Sequence, residues 1–216
     1  MRIRLGPVLC LALLSTGLSM PAFAHPHVWI TARAQVVFAP DGKVTGIRHR
    51  WTFDEAYTAY VTQGLDRDGD GKLTSEELQD LADENAGGLS EFDYFTTLKV
   101  HGKPQAFGDP QEARMTMDGQ QVTMDFLLPL KAPTAVTGAL AMEIDDPTFF
   151  VYFSLADQTS VTLANAPQGC VTNIAKAKPL DAAMLKILQD EGAVQAAPPG
   201  ANFGVEYSNK AIIACP

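Results

Sequence analysis

The chain has 216 residues, with sixteen Lys and Arg against twenty-five Asp and Glu, a formal net charge of −9 and three cysteines. That acidity argues against nucleic acid as a partner and, with no polybasic stretch, against an anionic lipid surface; it suits cations. The length allows one ordinary domain with a substantial core, or one domain carrying an insertion.

Arg2 and Arg4 open the chain, residues 5–20 are apolar in character, and Pro21-Ala22-Phe23-Ala24 follows. A positive start, a short apolar centre and an Ala-x-Ala site predict a secretory signal peptide over residues 1–24. The run contains Ser15, Thr16, Gly17 and Ser19, and falls short of the roughly 20 apolar residues of a membrane span. Cleavage after Ala24 would make His25 the first mature residue and leave residues 25–216, with fourteen basic residues against twenty-five acidic ones. The expectation is an exported, periplasmic protein that does not itself span a membrane. Cys10 leaves with the leader, so Cys170 and Cys215 meet an oxidising compartment, where a disulfide is the default. A redox-active or metal-binding pair would call for the closer Cys-x-x-Cys spacing.

From residue 27 the chain alternates. Val28, Ile30, Ala32, Ala34, Val36 and Phe38 fall on one face, Trp29, Thr31, Arg33 and Gln35 on the other, which predicts a half-buried strand. Ala39-Pro40-Asp41-Gly42 is turn chemistry, and residues 43–53 read as the returning strand. Pairing Phe38 with Lys43 would set Ala32 against His49, Ile30 against Trp51 and Val28 against Phe53, with the apolar faces matched.

At Thr52 the period changes. Phe53, Tyr57, Tyr60 and Val61 are spaced for a helix that Thr52 or Asp54 can cap. A second helix runs through Leu78 and Leu81 and ends at Gly87-Gly88. Short alternating runs return at residues 96–101, 113–117, 121–128, 138–144, 149–155 and 159–164. A brief helix over 180–190, a Pro/Gly linker over 197–202 and a closing strand over 210–215 complete the chain. The fold class predicted is mainly β, sandwich-like, in one domain, with an inserted helix–loop–helix segment at about residues 54–91, hence α+β as a whole.

Between the two helices residues 66–77 read DRDGDGKLTSEE. An EF-hand calcium loop asks for acidic side chains at positions 1, 3 and 5, glycine at 6 and glutamate at 12. Asp66, Asp68, Asp70, Gly71 and Glu77 supply them. Three short carboxylates curl round one hard cation, and Gly71 takes a turn that a side chain would obstruct. Lys72 would offer its backbone carbonyl and Thr74 a water-mediated contact, while Glu77 closes the site with two oxygens. Calcium fits better than magnesium, which demands a rigid octahedral shell. A single loop in a calcium-rich compartment reads as structural bracing rather than a switch.

His25, as a free N-terminus, would combine an α-amine with an imidazole, and His27 would add a second ring. Pro26 has no backbone N–H to lose, which excludes the square-planar mode that uses deprotonated amides. Amine and imidazoles suit Zn²⁺, Ni²⁺, Co²⁺ or Cu²⁺. His49 is a further candidate ligand, His101 a weaker one, and Asp145 and Asp146 are either oxygen ligands or turn residues before an aromatic strand. On the expected hairpin His27 and His49 have opposite parity, so sharing a metal requires the mature end to leave the sheet and fold over its edge. No nucleophile elbow, His-Glu-x-x-His or phosphate-cradling loop is present, so the protein reads as non-enzymatic. A calcium-braced interaction module without a transition metal, and a copper-dependent oxidoreductase using His25, are the alternatives.

The segments AHPHVWI, GIRHRWTFDEAY, LDRDGDGKLTSEEL, EFDYFTTLKVHGKP and DPTFFVYF, with Gly169-Cys170 and the terminal Ala214-Cys215-Pro216, together resemble a bacterial periplasmic family known as domain of unknown function number 1007. The resemblance covers essentially the whole mature chain. It implies the periplasmic component of an uncharacterised ABC-type transport system, an accessory of nickel, cobalt or zinc handling whose partner is a membrane metal transporter. It assigns no catalytic residue, and the roles of His25, His27 and His49 come from the residue reading alone.

Overall fold

The structure is a computed structural model and describes residues 26–175, 177, 181–188 and 207–216; the leader, His25 and the linker at 197–202 lie outside them. In chain order the elements begin with β1 (Val28–Phe38), β2 (Lys43–Phe53), α1 (Glu55–Val61) and α2 (Gln79–Gly88). Then come β3 (Thr96–Val100), β4 (Lys103–Pro104), β5 (Gln111–Asp118), β6 (Gln121–Ala135) and β7 (Gly138–Ile144). The chain closes with β8 (Val151–Leu155), β9 (Val161–Ala164), β10 (Val171–Ala175), α3 (Ala182–Leu188) and β11 (Asn209–Cys215). The short strands β4 and β10 carry no period long enough to read in advance.

The protein is mainly β. One sheet has the order β5–β6–β2–β1–β8, with β9 also on β1; the other runs β10–β11–β7–β3–β4. Both sheets feed one core, in which Ile30, Ile47, Trp51 and Phe126 of the first join Leu98, Leu140, Met142, Ile144 and Ile213 of the second. Each such side chain contributes roughly 1.5–3 kcal/mol by leaving water. The alternating face of β1 is the buried one, from Val28 to Phe38.

The β1–β2 hairpin forms, but displaced by two residues from the expected register. Ile30 faces Phe53, Ala32 faces Trp51 and Ala34 faces His49. A bulge between Val37 and Phe38 sets Phe38 opposite Val44, and the turn closes with Ala39 N donating to Lys43 O at 2.8 Å. Side-chain parity has period two, so a shift of two leaves the apolar faces matched. Periodicity could not separate these registers; one residue of the shift arises at the turn, where Phe38 faces Val44 instead of Lys43, and the other at the bulge. The other edge of β1 takes β8 and then β9, both parallel.

Asp54 caps α1, its Oδ1 accepting from Tyr57 N at 2.9 Å. Its Oδ2 accepts from Trp29 N at 2.8 Å, and Asp54 N donates to Trp29 O at 2.9 Å. One residue thus starts the helix and ties it to β1. Two helices flank residues 66–77, each shorter than its apolar period suggests. α1 stops at Val61, short of Asp66, and Gly64 turns left-handed at φ +77° between them. α2 begins at Gln79, beyond Glu77. It ends at Gly88 without a left-handed glycine, because Leu89 keeps a helical φ of −60° and the chain tightens into a 3-10 turn that breaks at Phe92, beyond which Asp93, Tyr94 and Phe95 are left-handed. The disulfide joins Cys170 to Cys215 as expected, fastening the edge strand β10 beside the end of β11.

Candidate metal centre

Within residues 66–77, Asp66, Asp68 and Asp70 each bring one carboxylate oxygen to within 4.8 Å of the others. The backbone arranges this. Gly69 and Gly71 sit at φ +72° and +80°, a region that costs any residue with a Cβ. Their amides point back at Asp66, Gly69 N to Oδ1 at 2.8 Å and Gly71 N to Oδ2 at 2.9 Å. Asp68 Oδ1 accepts from Asp70 N at 3.1 Å, and Asp70 Oδ1 from Lys72 N at 2.8 Å, the side-chain turns that short carboxylates favour. Leu73 packs against the core and anchors the return limb.

Glu77 stands outside this trio. Its Oε2 accepts from Thr74 N at 2.9 Å and Thr74 Oγ1 at 3.0 Å, while Oε1 accepts from Arg67 N at 2.7 Å. Glu77 N in turn donates to Thr74 Oγ1 at 3.3 Å. This is a capping box, and its Thr-x-x-Glu signature is legible in the sequence. The Thr74 amide, followed by that of Arg67, holds the Glu77 carboxyl below its usual range. The side chain is buried and ionised, with its oxygens on backbone amides of the same loop that presents the three aspartates.

A family profile described as protein of unknown function (DUF1007) matches residues 10–215, nearly the whole chain. The chain belongs to this family. No curated protein matches it. Among solved structures, acetylcholine-binding protein type 1 of Biomphalaria glabrata is similar at 12% identity, over 87% of this chain and 84% of that one, with a TM-score of 0.33. A likeness of that size carries no argument about this DUF1007 protein.

The histidines of the DUF1007 chain do not converge among the described residues, where the aspartate trio is the one set of three or more His, Cys, Asp or Glu side chains with ligand atoms together. His27 is exposed and its ring meets Phe150 at a tilt of 33°, centroids 4.7 Å apart. His49 is enclosed in the core, 2% exposed. His101 is exposed on a left-handed turn at φ +50°, its Nε2 3.5 Å from Thr137 Oγ1. Asp146 is a turn residue: Oδ1 accepts from Thr148 N at 2.8 Å, and Oδ2 from Val151 N at 2.9 Å. Asp145 lines an acidic cleft of about 450 Å³ with Glu91, Asp93 and Glu143. Burial, then Glu143 and Asp146, push its carboxyl up to about 6.

Proposed function

We propose that this is an exported, periplasmic, non-enzymatic metal-binding accessory protein. Residues 66–77 take Ca²⁺ in an EF-hand-like manner, and the N-terminal His25 and His27 take Zn²⁺, Ni²⁺, Co²⁺ or Cu²⁺ for a membrane transporter. The observation that carries the reading is the convergence of the Asp66, Asp68 and Asp70 oxygens in a loop that has glycine at position 6 and glutamate at position 12. Hard oxygen donors of this kind suit calcium. Lys72 would add its carbonyl, and Thr74 and Glu77 would complete the shell. Bound calcium would offset the mutual repulsion of the three carboxylates and brace the segment between α1 and α2. Export is supported by the leader's composition and by the Cys170–Cys215 bond. His49 is left out of the transition-metal set, because Trp51 and Phe126 enclose its ring.

The test is calorimetry and thermal melting with calcium. The protein should bind one Ca²⁺ and melt higher with it, and Asp66→Ala should abolish both effects. A melting temperature indifferent to calcium and chelator would refute the calcium site. With calcium saturating, Zn²⁺, Ni²⁺, Co²⁺ and Cu²⁺ are then titrated into protein beginning at His25, beside a form carrying one extra preceding residue. Tight binding lost on extension places the α-amine in the site. No binding by either form leaves a calcium-braced interaction module.

A further inference from the structure

We propose that the outer face of the first sheet binds a small ligand through an oxyanion group, phosphate or carboxylate, held by Arg48 and Arg114, which line one cavity. The register aligns Arg33 of β1 with Arg50 of β2, Arg50 with Asp125 of β6, and Asp125 with Arg114 of β5. Residues directly opposite in a sheet share a face, so one row across four strands presents three guanidiniums and one carboxylate. Arg48, two residues before Arg50, lies on the same face. All four arginines are exposed, while Ala32, Ala34, His49, Trp51 and Met115 between them point into the core.

The chain carries a net charge of −9 with sixteen Lys and Arg in all, yet four of those cations crowd this patch. Arg33 lies directly opposite Arg50, an arrangement of like charges that works against strand pairing. The acids present only partly answer it. Arg48 pairs with Glu112 at 2.7 Å and Arg50 with Asp125 at 3.4 Å. Among the described residues Arg33 and Arg114 meet no carboxylate. An anion from outside the chain would supply the missing partner.

There is room for one. A cavity of about 380 Å³ opens here, lined by Arg48, Gln79, Glu112, Arg114 and Asp125. It lies beside the bulge that interrupts β5 between Gln111 and Arg114. That volume is at the small-molecule end of ligand pockets. Guanidinium forks match the oxygens of phosphate and carboxylate two at a time. Glu112 and Asp125 on the wall oppose a polyanion and favour a ligand whose negative charge is confined to one end.

The experiment titrates inorganic phosphate and succinate separately into the protein by calorimetry at low ionic strength, against sodium chloride at matched ionic strength. Arg114→Gln and Arg48→Gln are titrated alongside, their folds checked by circular dichroism. One or both anions should bind saturably, and each substitution should weaken binding about tenfold, with Arg48→Lys recovering part of the loss. Saturation by phosphate alone assigns a phosphoryl ligand, and by succinate alone a carboxylate. Heats that only match chloride, or affinities equal in wild type and both folded variants, would overturn the proposal. These outcomes do not depend on any metal, so they stand or fall apart from the calcium and histidine readings.

Discussion

The imidazole of His49 lies nearly flat on Phe126, centroids 4.9 Å apart and planes 22° apart, with Trp51 meeting it edge-on. Nδ1 has no hydrogen-bond partner, and Nε2 is 3.4 Å from Thr96 Oγ1. Burial lowers the His49 pKa from 6.5 to about 3. Between those values the unfolded chain binds the proton and the folded chain does not, so stability falls as pH falls through 6.5. The slope attributable to this residue approaches about 1.4 kcal/mol per pH unit. Urea midpoints measured across that window should drop with acidification in the wild type and drop less steeply in His49→Leu. Equal slopes would show that the ring is not kept neutral by the fold.

Asp145 runs the opposite way. Its carboxyl is raised from 3.8 to about 6 in the folded chain, so the folded state holds the proton more tightly. The stability this contributes is present below 3.8 and is lost as pH rises through 6. Asp145→Asn should remove that loss and make the protein more stable than wild type near neutral pH. A variant no more stable at pH 7 than at pH 4, relative to wild type, would contradict the assignment.

Asp54 serves α1 with one carboxylate oxygen and β1 with the other. Asp54→Ala should cost about 1–3 kcal/mol, from a lost helix cap and an unpaired Trp29 amide. Equilibrium denaturation measures it, and Asp54→Asn, which keeps one acceptor, should cost less.

A methyl group at Gly46 would sit 2.7 Å from Leu128 O and 3.0 Å from Pro129 Cα. Both are backbone atoms, so β2 and β6 would have to part. Gly46→Ala should therefore destabilise by about 1–3 kcal/mol or more. At Gly87, in α2, nothing lies within 4 Å, and Gly87→Ala should stabilise by roughly 0.5–1 kcal/mol. Melting temperatures moving in the same direction for the two would refute the contrast.

The Cys170–Cys215 bond closes a loop with a sequence separation of 45, worth about 4 kcal/mol in the chain-entropy account. Paired Cys170→Ala and Cys215→Ala should lower the unfolding free energy by that order, read from denaturant titration. Hydrogen exchange should rise first in β10, an edge strand whose ladder partner among the described residues is β11.

Much of the local structure was legible from single residues. Asp54 before a helical period announces a cap, the alternation from Val28 to Phe38 announces the buried face, and Asp66, Asp68, Asp70 and Gly71 announce a loop whose carboxylates converge. The flanks were less legible. Regular helix begins at Gln79, but the Thr74–Glu77 capping box and the Leu78 N to Thr74 O bond at 3.1 Å already close the turn before it.

Which face of each long strand is buried, where the chain turns and which short loop gathers acid all depend on residues a few positions apart, so they can be read along the chain. What lies beside what came from long-range packing. It set the two-residue register of the hairpin, the parallel placement of β8 and β9 on β1, the burial of His49 away from His27, and the row Arg33–Arg50–Asp125–Arg114. Apart from the hairpin, those relations depend on segments far apart in the chain. No local period encodes them, because adjacency between strands is chosen by how their apolar faces share one core.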